Sequence, residues 1–171
     1  QAAKALARGA GNAAVMRFHI RDYQRSDAEA LAGLFRAAVR QIGARDYNAA
    51  QVDAWAGGVS AERLGARLGD GRRALVAVGD GDAPLAFGDL EADGHIDFLY
   101  AAPDAAGKGI TAALYDVLES HARAQGMARL YTEASEAARR FFLKKGFAVV
   151  TRRDFAIGST PMHNYAMEKR L

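Results

Sequence analysis

His95 and Asp97 lie two residues apart in a run of strand character, so their side chains share one face. An imidazole titrates near neutrality and suits proton transfer, and the carboxylate of Asp97 either takes a proton itself or orients the ring. Against this stand plainer readings: a solvated histidine beside the Asp93-Gly94 turn, and an aspartate in a structural hydrogen bond. Glu133, at the end of a later strand run, is the third acid–base candidate. A second kind of chemistry is offered by Ala106-Gly107-Lys108-Gly109, which runs straight into a helix pattern. Glycines let the backbone approach a ligand, and the free N–H groups and dipole of a helix start favour phosphate. Glycines there also serve a turn alone, and the spacing fits neither a P-loop nor a dinucleotide-binding G-x-G-x-x-G. Cysteine is absent, which excludes disulfides, thiolate metal sites and a cysteine nucleophile. His19, His121 and His163 show no metal-ligand spacing, so no metal is expected.

The elements that must position these residues follow from hydrophobic period. Phe18 to Asp22 reads as a strand, and Ser26-Asp27-Ala28-Glu29 as a capping box opening a helix with Leu31, Leu34, Phe35, Ala38 and Ile42 on one face. A second helix starts near Asn48 and stops at Gly57-Gly58; Ser60 to Leu68 adds another turn or two. Arg73 to Val78, Pro84 to Glu91 and His95 to Ala101 form a three-stranded antiparallel meander. The helix after Gly109 carries Ile110, Leu114, Val117, Leu118 and His121 on one side, and a strand, Ala128 to Glu133, follows it. Ser135 caps the next helix, which ends at Gly146 with Phe147 as the apolar clamp. A hairpin of Phe147 to Phe155 and Met162 to Lys169 completes the chain. The order βααβββαβαββ predicts an α/β (α+β) fold: a mixed, mostly antiparallel seven-stranded sheet flanked by helices.

A length of 171 residues suits one domain. Residues 1–15 read as a flexible leader and 16–171 as a single domain, because Met16 directly precedes the first strand pattern. The leader holds Lys4 and Arg8 and no acid, so of the net charge of +3 only +1 remains for the domain. No basic stripe interleaves with aromatics, which argues against nucleic acid as a partner. No apolar run approaches a bilayer span and no cleavable signal is apparent, so a soluble, cytoplasmic protein without membrane attachment is expected.

The stretch from His95 to Phe147 resembles the GNAT superfamily of acyl-CoA-dependent N-acetyltransferases. The motifs that carry the resemblance are Leu99-Tyr100-Ala101-Ala102-Pro103, Gly107-Lys108-Gly109-Ile110 with its helix, and Ser135-x-x-Ala138-x-x-Phe141-Phe142-x-x-x-Gly146-Phe147. Tyr47-x-x-x-Gln51-x-x-x-Trp55 and Asn164-Tyr165-x-Met167 resemble a small bacterial YafP-like branch. The resemblance implies acetyl-CoA as co-substrate, bound across Leu99, Tyr100, Ala101, Ala106, Gly107, Lys108, Gly109, Ile110 and Thr111, with Ser135 and Phe142 nearby. It implies direct attack of an amine on the thioester, with the Leu99 N–H near the thioester oxygen and His95, Asp97 or Glu133 as base. Tyr47 and Trp55 would wall the acceptor pocket or simply pack as core.

Where the family pattern is Gln/Arg-x-x-Gly-x-Gly/Ala, this chain has Ala106-x-x-Gly109-x-Thr111. Phe142 stands where many relatives place the tyrosine that protonates the leaving thiolate, and a phenyl ring has no proton to give. Tyr165 then becomes the candidate general acid, with water as the alternative. The acceptor, a small-molecule or protein amine, is left open, as is a homodimer. The alternative from a different class is an acyl-CoA-binding sensor or interaction module without turnover.

Overall fold

The computed structural model describes the backbone of Lys4–Leu6 and residues 16–171. Five strands form one antiparallel sheet in chain order: β1 (Lys4–Leu6), β2 (Arg17–Asp22), β3 (Arg73–Val78), β4 (Pro84–Leu90) and β5 (Leu99–Ala101). Three more form a second antiparallel sheet in the order β6 (Arg129–Ala134), β8 (Thr160–Arg170), β7 (Ala148–Ile157). The seven expected strands are present, but as two sheets joined at one parallel bridge between His95 and Tyr131. The eighth, β1, pairs with β2 inside the segment read as a leader. The rest of that segment lies outside the described residues.

Both faces of the first sheet are covered, which explains why β3 is almost wholly apolar. Leu75 and Ala77 face a core shared with α4 (Ile110–Ala124) and α5 (Glu136–Lys144). Ala74, Val76 and Val78 face the other core, built with α1 (Ala28–Gln41), α2 (Ala49–Ala56) and α3 (Ala61–Leu68). Asn48 caps α2 in a reciprocal box with Gln51, and Ser60 caps α3, both where the sequence puts them. The box expected at Ser26 does not form. Asp27 is drawn instead to Arg21, at 2.8 and 2.9 Å, and to the Gln24 N–H, so a 3₁₀ turn over Arg25–Asp27 precedes α1.

Gly94 holds the junction of the two sheets. Its φ is +94°, and a Cβ there would collide with the Arg129 carbonyl oxygen, so both conformation and contact require glycine. Gly94→Ala is expected to cost at least about 2 kcal/mol, which for a domain of this size lowers Tm by roughly 4–8 °C. Thermal unfolding checks this; an unchanged Tm would mean that the junction yields.

Candidate active site

The sheets part immediately beyond the bridge, and side chains make them do so. At the bridge the Ile96 N–H donates to the Tyr131 carbonyl (2.9 Å) and the Tyr131 N–H to the Gly94 carbonyl (3.0 Å). A continuing parallel ladder would next join the Ile96 carbonyl and the Phe98 N–H to Glu133. Thr132 Oγ1 donates to the Ile96 carbonyl instead (2.8 Å), while Asp89 Oδ1 accepts from the N–H groups of both Asp97 (3.0 Å) and Phe98 (2.7 Å). Two successive N–H groups turned to one side make a bulge. The predicted strand from His95 to Ala101 is therefore regular only over Leu99–Ala101.

The bulge decides what faces the gap. The Asp89 N–H donates to the Phe98 carbonyl and the Ala102 N–H to the Leu85 carbonyl, which fixes the alternation along β4 and β5. Leu99 and Ala101 fall in the intervening pairs, so their main-chain N–H and C=O groups point away from β4 into the opening. On the opposite side the Leu171 N–H bonds the Ala128 carbonyl, and by the same alternation the main chain of Glu133 points into the opening from β6.

A cavity of about 400 Å³ extends from this gap. Of the sequence candidates, Asp97, Glu133, Leu99, Tyr100, Ala101, Ala106, Gly107, Gly109, Thr111, Ser135, Phe142, Tyr47 and Trp55 line it. His95, Lys108, Ile110 and Tyr165 do not. Ile110 is fully buried in the core beneath α4, and Lys108 borders a shallower recess with Met16, Arg17 and Asp80.

His95 stands behind Glu133. Its Nε2 is 2.6 Å from Glu133 Oε2, its Nδ1 is 2.9 Å from Glu91 Oε1, and the ring stacks on Tyr131. The hydrogen bond to Glu133, aided by that to Glu91 and opposed by burial, raises the imidazole to about 9. The same bond holds the Glu133 carboxyl below its ordinary range. His95 and Asp97 do not touch; Arg72 and Glu91 link them. Arg72 Nη1 lies 3.2 Å from Asp97 and 3.3 Å from Glu91, and Asp97 is also bound by Arg67 at 3.3 Å. Asp89, completely buried, meets Arg72 at 2.5 Å. Burial pushes its carboxyl up to about 6 against the pull of the Phe98 N–H and Arg72.

Gly107 and Gly109 have φ of +75° and +78°, so both positions need glycine, and Gly109 is the N-cap of α4 with no side-chain cap. As at any helix start, the first N–H groups of α4 have no intrahelical acceptor. Ser135 Oγ accepts from the Ala138 N–H (3.3 Å), so this residue caps α5 while lining the cavity. Phe142 is 2% exposed, among the rings of Tyr115, Phe141 and Phe147.

The expected placement of the Tyr165 hydroxyl at the acyl site is not met. It donates to Glu136 Oε1 (2.7 Å), which also contacts His163 Nε2 (2.9 Å), while Arg139 covers the Tyr165 ring. The Glu136 carboxylate, in the first turn of α5, accepts this hydrogen bond and the phenol keeps its proton. Tyr47 is committed likewise: its hydroxyl accepts from the Glu136 N–H and donates to the His163 carbonyl, both at 3.1 Å.

Sequence reasoning passed over Asp46, Asp89, Glu91 and Thr132. Asp89 left a signal, an acid within the apolar run Pro84–Leu90; Thr132 left none, because threonine is ordinary in a strand. Among the described residues no group of three or more His, Cys, Asp or Glu is arranged to hold a metal, and no helix is long and apolar enough to cross a membrane.

Two antiparallel sheets splay over a cavity, with a glycine turn feeding a helix at its rim, in a mixed α/β architecture. A family model described as an acetyltransferase (GNAT) domain matches residues 43–169, and the chain belongs to that family. The crystal structure of a GCN5-related N-acetyltransferase from Rhodopseudomonas palustris is 34% identical, with a TM-score of 0.85 over 94% of this chain and 100% of that one. PaiA N-acetyltransferase from Thermoplasma acidophilum, solved with coenzyme A, is 23% identical, with a TM-score of 0.74 over 91% and 100%. The acetyltransferase yncA of Salmonella typhimurium, solved with acetyl-CoA, is 20% identical, with a TM-score of 0.67 over 90% and 94%. No curated protein matches the sequence.

Proposed function

We propose that the protein is an N-acetyltransferase that moves the acetyl group of acetyl-CoA directly to a primary amine. The residues fit the co-substrate. The opening between β5 and β6 offers the main chain of Leu99 and Ala101 to a pantetheine arm, and the glycine turn offers N–H groups to a pyrophosphate. Loss of the family's Gln/Arg at Ala106 removes a side chain but leaves these backbone donors. Complexes of PaiA and yncA with coenzyme A and acetyl-CoA agree with this reading.

The observation that carries the proposal is the Glu133–His95 pair at the gap, opposite the outward N–H of Leu99. Amine nitrogen attacks the thioester carbonyl, forming the C–N bond; the Leu99 N–H stabilises the oxyanion, and the C–S bond breaks as it collapses. The amine proton passes to Glu133 and on to neutral His95. An imidazole near 9 lies within about one or two pH units of an alkylammonium at ~10.4, so that transfer is only slightly uphill. Asp97, held by two guanidinium groups, serves the cavity wall rather than the proton. Water protonates the departing thiolate, since Phe142 has no proton and that of Tyr165 is held by Glu136.

The YafP-like assignment rests on the motifs at Tyr47–Trp55 and Asn164–Met167. A single domain, to which Lys4–Leu6 adds a strand beside β2, and a cytoplasmic setting complete the reading. The outer edge of β7, with Val149, Val150 and Phe155 exposed, supports a homodimer.

Release of free CoA on adding amines to the protein and acetyl-CoA tests the proposal. Turnover supports it; tight acetyl-CoA binding with no release across an amine panel would favour the sensor reading.

A further inference from the structure

Among the described residues the charged side chains that line the cavity are Asp46, Asp97 and Glu133, and no Lys, Arg or His lines it. This is unexpected in a chain of net charge +3. Cations stand behind each of these carboxylates. Arg140 holds Asp46 at 2.7 Å from outside, Arg67 and Arg72 hold Asp97, and His95 holds Glu133.

Along the β5–β6 side these cations do not balance the acids. Arg72 is shared among Asp70, Asp89, Glu91 and Asp97, and His95 between Glu91 and Glu133. Five carboxylates in that network meet three cations, Arg67, Arg72 and His95, and of the five Asp97 and Glu133 line the cavity. A cleft lined by one sign of charge over low-dielectric walls concentrates ligands of the opposite sign. The remaining wall is aromatic, with Trp55 against Tyr47 and Tyr100, and such faces also attract cations. The cavity of about 400 Å³ must admit the acetyl end of the co-substrate as well, so the acceptor is small.

Building on acetyl transfer at this cavity, we infer that the acceptor is a small alkyl diamine or polyamine: one nitrogen reacts beside Glu133 while a second, still cationic, is held by Asp97 and Asp46. An amino acid carrying the same amine brings a carboxylate against this acidic wall and is rejected. A monoamine of the same length enters but forgoes the second ion pair.

Three matched probes separate these cases: 1,4-diaminobutane, butylamine, and ornithine, which adds a carboxylate to the diamine. CoA release gives kcat/KM for each, and calorimetry gives acetyl-CoA affinity on the same protein. The diamine is expected to exceed both others by about tenfold or more, the scale of one hydrogen-bonded charge pair. Asp97→Asn should narrow the ratio of diamine to butylamine, and added salt should lower turnover of the diamine more steeply than that of butylamine. Equal or better turnover of butylamine or ornithine overturns the inference, as does acetyl-CoA binding without turnover of any of the three. Failure to bind acetyl-CoA at all would instead remove the acetyl-transfer reading, and this inference with it.

Discussion

Gly109→Val should weaken acetyl-CoA binding by about 10²–10⁴-fold while leaving a folded protein. Gly109 has φ of +78° at the N-cap of α4, and a β-branched side chain there both resists that conformation and stands over the N–H groups of the helix start. Displacing a phosphate from two such donors forfeits two charge-assisted hydrogen bonds, about 3–6 kcal/mol together. Gly107→Val offers a companion test: φ of +75° strains the turn, but beyond its chain neighbours a Cβ meets nothing within 4 Å, so crowding within the protein adds little to any loss of binding. Circular dichroism verifies the fold and calorimetry the affinity. Undiminished affinity in Gly109→Val would end the assignment of this turn to the pyrophosphate.

Glu133→Gln should lower kcat by about 10²–10⁴-fold, the usual contribution of a general base. It should also move the ascending limb of the pH–rate profile. With Glu133 in place His95 titrates at about 9, and the neutral ring that takes up the proton becomes common only toward that pH. Removing the carboxylate removes the largest cause of the shift, so the limb should fall toward the ordinary imidazole value of ~6.5. The substrate amine is the same for both proteins, so a limb that stays put belongs to the amine and not to His95. His95→Ala with wild-type rate and profile would exclude the pair as the base. Stability runs the other way. His95 has a folded value above its unfolded one, so the ion pair stabilises fully below about 6.5 and its contribution is lost as pH rises through about 9.

Element order was legible because most elements carry their own local signals. The helix starts near Asn48 and Ser60 and the cap at Ser135 are set by side-chain chemistry that acts within four residues, and each is found. The two-residue period of the strands was legible for the same reason. What failed was long-range. No local pattern announces that Asp89 will take two N–H groups eight and nine residues away, so the strand through His95 reads as continuous when it is bulged. Likewise Ser26 is a good cap in isolation and loses to an ion pair between Arg21 and Asp27. At the site, the face shared by His95 and Asp97 was readable, but their separate partners were not. Glu133 joins His95 across thirty-eight residues, and Tyr165 meets Glu136 across twenty-nine. Tyr165 as a proton donor rests on the resemblance, which implies that the last strand inserts beside the fifth; nothing in it discloses the Glu136 carboxylate that takes its hydrogen bond.

The opening between β5 and β6 is held by groups of the protein itself: Asp89 removes the Phe98 N–H from the ladder and Thr132 satisfies the Ile96 carbonyl. A gap made this way exists before any ligand arrives. On the proposed reading, in which acetyl-CoA enters this gap, the binding-competent form is the ground state, so little of the co-substrate's interaction energy goes to shifting a population. Ordering costs then fall on the flexible pantetheine arm rather than on the enzyme. Entry of the thioester should therefore be limited by diffusion and orientation rather than by a slow opening of the sheet.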